Sequence, residues 1–325
     1  MPTEDEHDDY TITAEEYDRH MSDYWRVVAE SEGFDCDEYE SPVVLTAALL
    51  PFDCQDGSRY PYPLLVKRYA LLGLHRYNIL EGSCFHLATL QKFNRTMSRM
   101  ASYYLTFLAL DPTISSQETT FQVRVDEQAY TSLDLTVSVA RPKKDKNTAA
   151  SATTNKVFIP HFHASALSDD SVFQGELPDW PTEDALNDDR NGFYVLKESE
   201  WRITDWISLY LELLICSNDK GLFGIVQSGL SQVQILKVAI QTEEEDQKPP
   251  SGRLNARRAH VYITFQGLAK SPSLVEIGEH VERKAIIRRV IDACSGFLTL
   301  TGKFWSGKDT EQSSTSMTLQ SGEKD

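Results

Sequence analysis

The sequence predicts an α+β fold in which a helix packs on an antiparallel sheet and a second antiparallel β-rich unit follows. Three observations carry that reading. Near Gly82 the apolar period changes from 3.6 residues to 2. The runs after it alternate apolar with polar side chains, which gives each strand one dry and one wet face. A polar, small-residue stretch then separates these runs from a further set of alternating segments. The chain divides accordingly into an acidic segment at 1–40, an α+β domain at 41–142, a linker at 143–156, a β-rich domain at 157–305 and a disordered tail at 306–325.

Residues 1–12 are too acidic and too poor in apolar side chains to order alone. Thr13 then opens a capping box with Glu16. Tyr17, Met21, Tyr24, Trp25 and Val28 recur at helical spacing until Gly33, so a short helix is expected, with its aromatic stripe packed on its own domain. Residues 41–57 read as a proline-bounded connector with a buried run at 43–50. A second helix is expected over 63–80, where Leu65, Tyr69, Leu72 and Ile79 form a stripe widened by Leu64, Leu71 and Leu74. Pro61 and Pro63 suit its entry, and Gly82 suits a left-handed exit.

Four strands follow, with dry faces formed by Phe85, Leu87 and Thr89, then Tyr103, Leu105, Phe107 and Ala109, then Phe121, Val123 and Val125, and finally Leu133, Leu135, Val137 and Val139. In the second half a short strand is expected at 157–162. Pro178 and Pro181 bracket Trp180 in a loop that the indole anchors by burying its ring. Ile207, Leu209, Leu211, Leu213 and Ile215 alternate with their neighbours and read as a strand, as do 233–242, 259–267, 281–292 and 297–304.

The formal charge of -17 is concentrated in residues 1–40, which hold fifteen acidic and two basic residues. Such a segment repels phosphates and suits a solvated tail or a basic partner, so nucleic acid is not an expected ligand. Without an apolar run of membrane length or a charged-then-apolar leader, neither a span nor secretion is expected, and the location reads as cytoplasm or nucleus. Cys36, Cys54, Cys84, Cys216 and Cys294 are scattered and read as reduced thiols.

Candidate sites are few, and each has a plainer explanation. His161 and His163 would share one side of a strand but lack further ligands at usual spacing. Cys84 and His86 have the spacing of a thiolate and its base, but their apolar neighbours favour core packing. Asp179, Glu183, Asp184, Asp188 and Asp189 lack the alternate-oxygen pattern of a calcium loop. Arg283, Lys284, Arg288 and Arg289 lie on both faces of a strand and suit a protected sheet edge better than RNA. Asn94 matches a glycosylation sequon by chance. No catalytic residue, cofactor-binding residue or metal ligand is therefore assigned, and no cofactor is expected.

The order of helix and strands resembles the cystatin-like fold. Residues 69–78 look like its helix, 102–110 (Ser-Tyr-Tyr-Leu-Thr-Phe-Leu-Ala-Leu) like its second hairpin arm, and 121–125 like the next strand. Cystatins inhibit papain-like proteases through a QxVxG first hairpin and a Pro-Trp second hairpin. Here 94–101 reads Asn-Arg-Thr-Met-Ser-Arg-Met-Ala, and 127–132 has neither Pro nor Trp.

A second resemblance covers roughly 60–305. It rests on Leu74-His75-Arg76-Tyr77-Asn78, on Phe-Gln-Val-Arg-Val-Asp-Glu at 121–127 and on Leu177-Pro178-Asp179-Trp180-Pro181. It rests further on Asp205-Trp206 with Leu209-Tyr210-Leu211-Glu212, and on Gly-Glu-His-Val-Glu-Arg-Lys-Ala at 278–285. These residues resemble a plant family of cystatin-related proteins, expanded in the cabbage family and sometimes called male-sterility-five-like. The resemblance implies no established catalytic activity and a link to embryo development, male fertility or meiosis. The expectation is a non-enzymatic protein-interaction protein in plant reproductive development, with inhibition of papain-like cysteine proteases as the alternative. The identity of the protein partner and the oligomeric state stay open.

Overall fold

The computed structural model describes residues 12–41, 44–45, 48–55, 57–113, 118–144, 158–160, 173, 175–187, 192–219, 230–242, 250–267 and 281–306. The described strands are β1 (Leu50–Asp53), β2 (His86–Arg95), β3 (Ser102–Leu110), β4 (Glu118–Glu127), β5 (Leu133–Pro142), β6 (Phe193–Val195), β7 (Gln234–Thr242), β8 (Arg258–Gln266), β9 (Arg283–Ile291) and β10 (Leu298–Trp305). They form one antiparallel sheet in the order β1-β2-β3-β4-β5-β10-β9-β8-β7-β6. The described α-helices are α1 (Ala14–Glu30), α2 (Pro63–Glu81), α3 (Glu183–Asn187), α4 (Glu198–Trp201), α5 (Asp205–Asn218) and α6 (Pro250–Leu254). The architecture is thus α+β. It is built from two like halves: α2 followed by β2 to β5, and α5 followed by β7 to β10, each with a short strand, β1 or β6, added at its outer edge.

Local chemistry explains most of these elements. Thr13 caps α1 as expected: its hydroxyl accepts from the Glu16 amide at 3.2 Å, and the Glu16 carboxylate accepts from the Thr13 amide at 3.0 Å. The apolar stripe of α1 packs on the outer face of the first half of the sheet. Tyr24 and Val28 are buried there beside Phe34 and Tyr104, and the Tyr24 hydroxyl accepts from the Leu49 amide at 2.7 Å. Pro63 stands in the first turn of α2, and Gly82 ends that helix in the left-handed region at φ 63°.

The connector before α2 departs from expectation. Val44 is 89% exposed, while among the described residues of 43–50 only Leu49 is buried, and β1 begins at Leu50. Residues 158–160 are not in a strand, and the rest of the strand expected at 157–162 lies outside the described residues.

Residues 207–216 form helix, not strand, and the reason can be read from both parities of the run. Tyr210, Leu214 and Cys216, at the positions expected to be wet, are as apolar as their neighbours. The polar residues Asp205, Ser208 and Glu212 fall three and four apart, on one helical face. The helix is buried nearly all round, as its composition requires. It lies beside α2 on the inner face of the sheet, where Arg68 of α2 meets Glu212 of α5 at 2.8 Å.

β5 carries a further departure. Its register with β4 runs Val125↔Val137 and then Arg124↔Val139, so Ser138 is an extra residue. The bulge sends Val139 to the outer face against the α1 layer and returns Ala140 to the inner core.

β9 corrects the edge-strand reading, because it is paired on both sides, with β8 and with β10. Arg283 and Arg289 are buried on its inner face, so they cannot receive the acidic N-terminal segment.

The inner core depends on a close approach of α2 to β4. A Cβ added to Gly73 would sit 2.3 Å and 2.4 Å from the two γ-methyl carbons of Val123. Gly73→Ala is expected to destabilise the protein by about 1–3 kcal/mol, the usual cost of overpacking. Combining it with Val123→Ala should recover part of that loss, so that the double variant is more stable than the sum of the single effects, as measured by urea unfolding.

Candidate functional site

The sheet brings two turns together at one end of its first half. The turn at 96–101 joins β2 to β3, and the turn at 128–132 joins β4 to β5. Their tips meet where the Arg99 guanidinium lies 5.1 Å from the centre of the Tyr130 ring. Met97 (62% exposed) and Tyr130 (42% exposed) face solvent beside it. Arg95, at the base of the first turn, lies over the rings of Tyr62 and Tyr103 at 5.8 Å and 5.5 Å.

Buried polar chemistry holds this ridge in place. Glu127, at the end of β4, is 1% exposed. One of its carboxylate oxygens accepts from the Tyr69 hydroxyl at 2.6 Å and the other from the Ala101 amide at 3.0 Å. A single carboxylate thus ties α2, β4 and the first turn together. Burial, followed by the adjacent Glu127 charge, raises the Tyr69 phenol well above its ordinary range, so it stays a donor. The first turn closes on itself as well: the Ser102 amide donates to the Thr96 hydroxyl at 3.0 Å. In the second turn the Gln128 amide donates to the Asp134 carbonyl at 2.8 Å.

A second buried polar cluster lies between the helices and β9. The Arg289 guanidinium donates to the carbonyls of Ala256 (2.6 Å) and Leu254 (3.1 Å). It also contacts His75 Nε2 at 3.2 Å and lies 4.7 Å from the centre of the Trp206 ring. Its contacts are carbonyls and rings, an arrangement that pins the 250–256 turn to the core. His75 is held well below the usual histidine range by burial and then by the Arg289 charge, and is therefore neutral.

The candidates read from the sequence are scattered. Cys84 and His86 are both exposed, so Cys84 is not the core residue its apolar neighbours suggested; it sits in the short link after α2. Glu183 pairs with Lys237 at 2.9 Å and Asp179 is exposed, while Asp188 and Asp189 lie outside the described residues, as do His161 and His163. Among the described residues no group of three acidic, histidine or cysteine side chains is placed to hold a metal ion. Arg288 donates to the Gly175 carbonyl at 2.8 Å, and Lys284 lies between the rings of Trp180 and Trp305 at 4.9 Å and 5.2 Å. Trp180 anchors its loop by an edge contact with Tyr262, 5.6 Å between centres. Asn94 is buried, with its side-chain amide donating to the Gly33 and Phe34 carbonyls, so the sequon is closed to modification in the folded chain. Sequence reasoning passed over the turn ridge because proximity of Arg99 to Tyr130 depends on strand register. Its only trace was a Met and Arg composition in a turn where glycine was awaited.

Several known proteins are similar to this chain. A family model described as Protein MS5 matches residues 177–300. The putative UPF0725 protein At1g28500 of Arabidopsis thaliana is 66% identical over 324 residues, covering 100% of this chain and 97% of its own. UPF0725 protein At1g27860 of the same plant is 60% identical, covering 100% and 96%. The crystal structure of MS5 from Brassica napus matches with a TM-score of 0.56 and 29% identity, over 75% of this chain and 98% of that one.

Acid should weaken the fold through His75 and His260. Burial, and then Arg288, lowers His260 to about 4, and His75 is depressed too. Both folded values lie below that of an unfolded histidine, so the unfolded chain takes up protons first as the pH falls. The stability is full above about pH 6.5 and declines below it by about 1.4 kcal/mol per pH unit for each histidine. The His260 contribution stops declining near its folded value of about 4. Urea midpoints should fall between about pH 7 and about pH 5, and His260→Asn should flatten that decline.

Proposed function

The chain belongs to the plant MS5 (UPF0725) family, and from that premise we propose that it is a non-enzymatic protein that acts by binding another protein, in plant reproductive development. The family likeness supports the setting. The observation that carries the binding role is the ridge at 96–101 and 128–132, where exposed Met97, Arg99 and Tyr130 sit on two turns braced from beneath by Glu127. Methionine, arginine and tyrosine are enriched at protein interfaces, and a pre-ordered pair of turns loses little entropy on docking. The action would take place in the cytoplasm or nucleus.

One helix followed by a four-stranded meander, with two turns at one end, also supports the cystatin-like reading of the first half, and it brings protease inhibition forward as the competing role. The composition of the turns argues against a protease wedge: 96–101 has no glycine and 128–132 no Pro-Trp pair. The same end of the same scaffold would instead recognise a different protein.

The test uses the full chain and the triple variant Met97→Ser, Arg99→Ala, Tyr130→Ser as baits in Arabidopsis floral-bud extract. The expected result is a reproducible partner bound by the wild type and weakened about tenfold or more in the variant, with unchanged melting temperature. Equal recovery by both baits would contradict the assignment of the ridge. In a parallel titration papain should remain fully active, whereas stoichiometric inhibition would establish the inhibitor role instead.

A further inference from the structure

The ridge at 96–101 and 128–132 is a cationic spot on an acidic protein. Its two turns, with Arg95 at the base of the first, hold two arginines and no aspartate or glutamate, although the whole chain carries a formal charge of -17. The adjoining Glu127 is buried, and its oxygens already accept from the Tyr69 hydroxyl and the Ala101 amide. Elsewhere several cations are matched by acids: Arg26 meets Asp23 and Glu30, Arg141 meets Glu32, Arg202 meets Glu198 and Lys237 meets Glu183. Among the described residues neither Arg95 nor Arg99 has a carboxylate within ion-pair distance.

What these guanidinium groups touch is aromatic: Tyr130 for Arg99, and Tyr62 with Tyr103 for Arg95. A ring engages the flat face of a guanidinium and leaves its in-plane N–H groups available, and a carboxylate takes those groups two at a time. Arg95 gives part of its donors to the Thr96 and Ser98 carbonyls, at 3.3 Å and 3.4 Å, which holds it across the turn. Arg99 is exposed and has no hydrogen bond to another described residue. Both side chains are thus placed before a partner arrives, which lowers the cost of ordering them on binding. The N-terminus of α2 adds charge of the same sign, because Tyr62, under Arg95, gives that helix no side-chain cap.

We propose that the partner of this ridge presents an acidic segment, with one aspartate or glutamate carboxylate on the Arg99 guanidinium and a second on Arg95, while exposed Met97 and Tyr130 cover its apolar stems. The inference rests on the reading of the ridge as a protein-binding surface and adds the chemistry of what it binds. Two cations on one turn match a few carboxylates of a peptide. RNA calls for a longer cationic track, and the acidic body of the protein repels a polyanion at range.

Fluorescence anisotropy of the full chain tests this with a short labelled peptide of alternating glutamate and glycine, beside its lysine and glycine counterpart and a short oligouridylate. The glutamate peptide should bind saturably and the other two should not, and raising NaCl from about 50 mM to about 200 mM should weaken the binding several-fold. Arg99→Gln should weaken it about tenfold at an unchanged melting temperature. Arg202→Gln removes the same charge from another exposed site and should leave the affinity within about twofold. Absence of binding by the glutamate peptide overturns the proposal, as does equal binding by Arg99→Gln, an equal loss in Arg202→Gln, or preference for the lysine peptide or the RNA. Failure here is distinguishable from failure of the ridge itself. A floral partner lost by the triple variant but kept by Arg99→Gln would leave the ridge as the binding surface and remove only its acidic preference, whereas equal recovery by the triple variant would remove the ridge.

Discussion

The pairing of β5 with β10 is the interaction on which the rest of the structure depends. Each half of the chain makes its own meander, and each meander ends in a strand with an open edge that would otherwise expose unpaired amides and carbonyls. The two last strands satisfy each other: Leu133 to Val137 run antiparallel to Gly302 to Leu298. Two sheets thereby become one, and their dry faces form a continuous core in which Leu135, Val137, Leu298 and Leu300 adjoin residues of α2 and α5. From α2, Arg76 reaches across the junction, donating to the Gly296 carbonyl just before β10 at 2.7 Å and to the Ala140 carbonyl of β5 at 3.5 Å.

Cations are buried in this acidic protein at the joint and beyond it. Arg76 and Arg289 have backbone carbonyls, rings or a neutral histidine as their main contacts, so each fastens chain segments that regular pairing does not hold. The fork geometry of the guanidinium lets one side chain satisfy several carbonyls at once. The joint also fixes polarity. Because β5 and β10 are antiparallel, the turn ridge of the first half points away from the β9–β10 turn of the second, and the two outer faces acquire different covers: α1 over the first, the Trp180 segment over the second.

Much of this was legible in the residues, for reasons that are local. The capping box at Thr13, the proline entry to α2, the exit at Gly82 and the alternation in β4 and β8 are decided by nearest neighbours, and sequence carries that information. Misreadings arose where a longer-range condition decided. The alternation of Ile207 to Ile215 fitted a strand until the apolar residues at the other parity were counted, and only burial on all sides makes such a run a helix. Val139 continued the rhythm of Val137, but the bulge at Ser138 breaks it and is set by pairing with β4. Arg283 to Arg289 read as a guarded edge because charge on both faces is a local mark of one, whereas the pairing of β8 on the side away from β10 joins strands well apart in the sequence. The meeting of Arg99 with Tyr130 is a product of strand register, which no single segment encodes.

Native-state hydrogen exchange of the β5 and β10 amides tests the central claim most directly. If the joint unites the halves, these amides exchange only by global unfolding, with the same opening free energy and denaturant dependence as the slowest amides of β3 and β8. Exchange of either half through an opening that leaves the other intact would contradict the account.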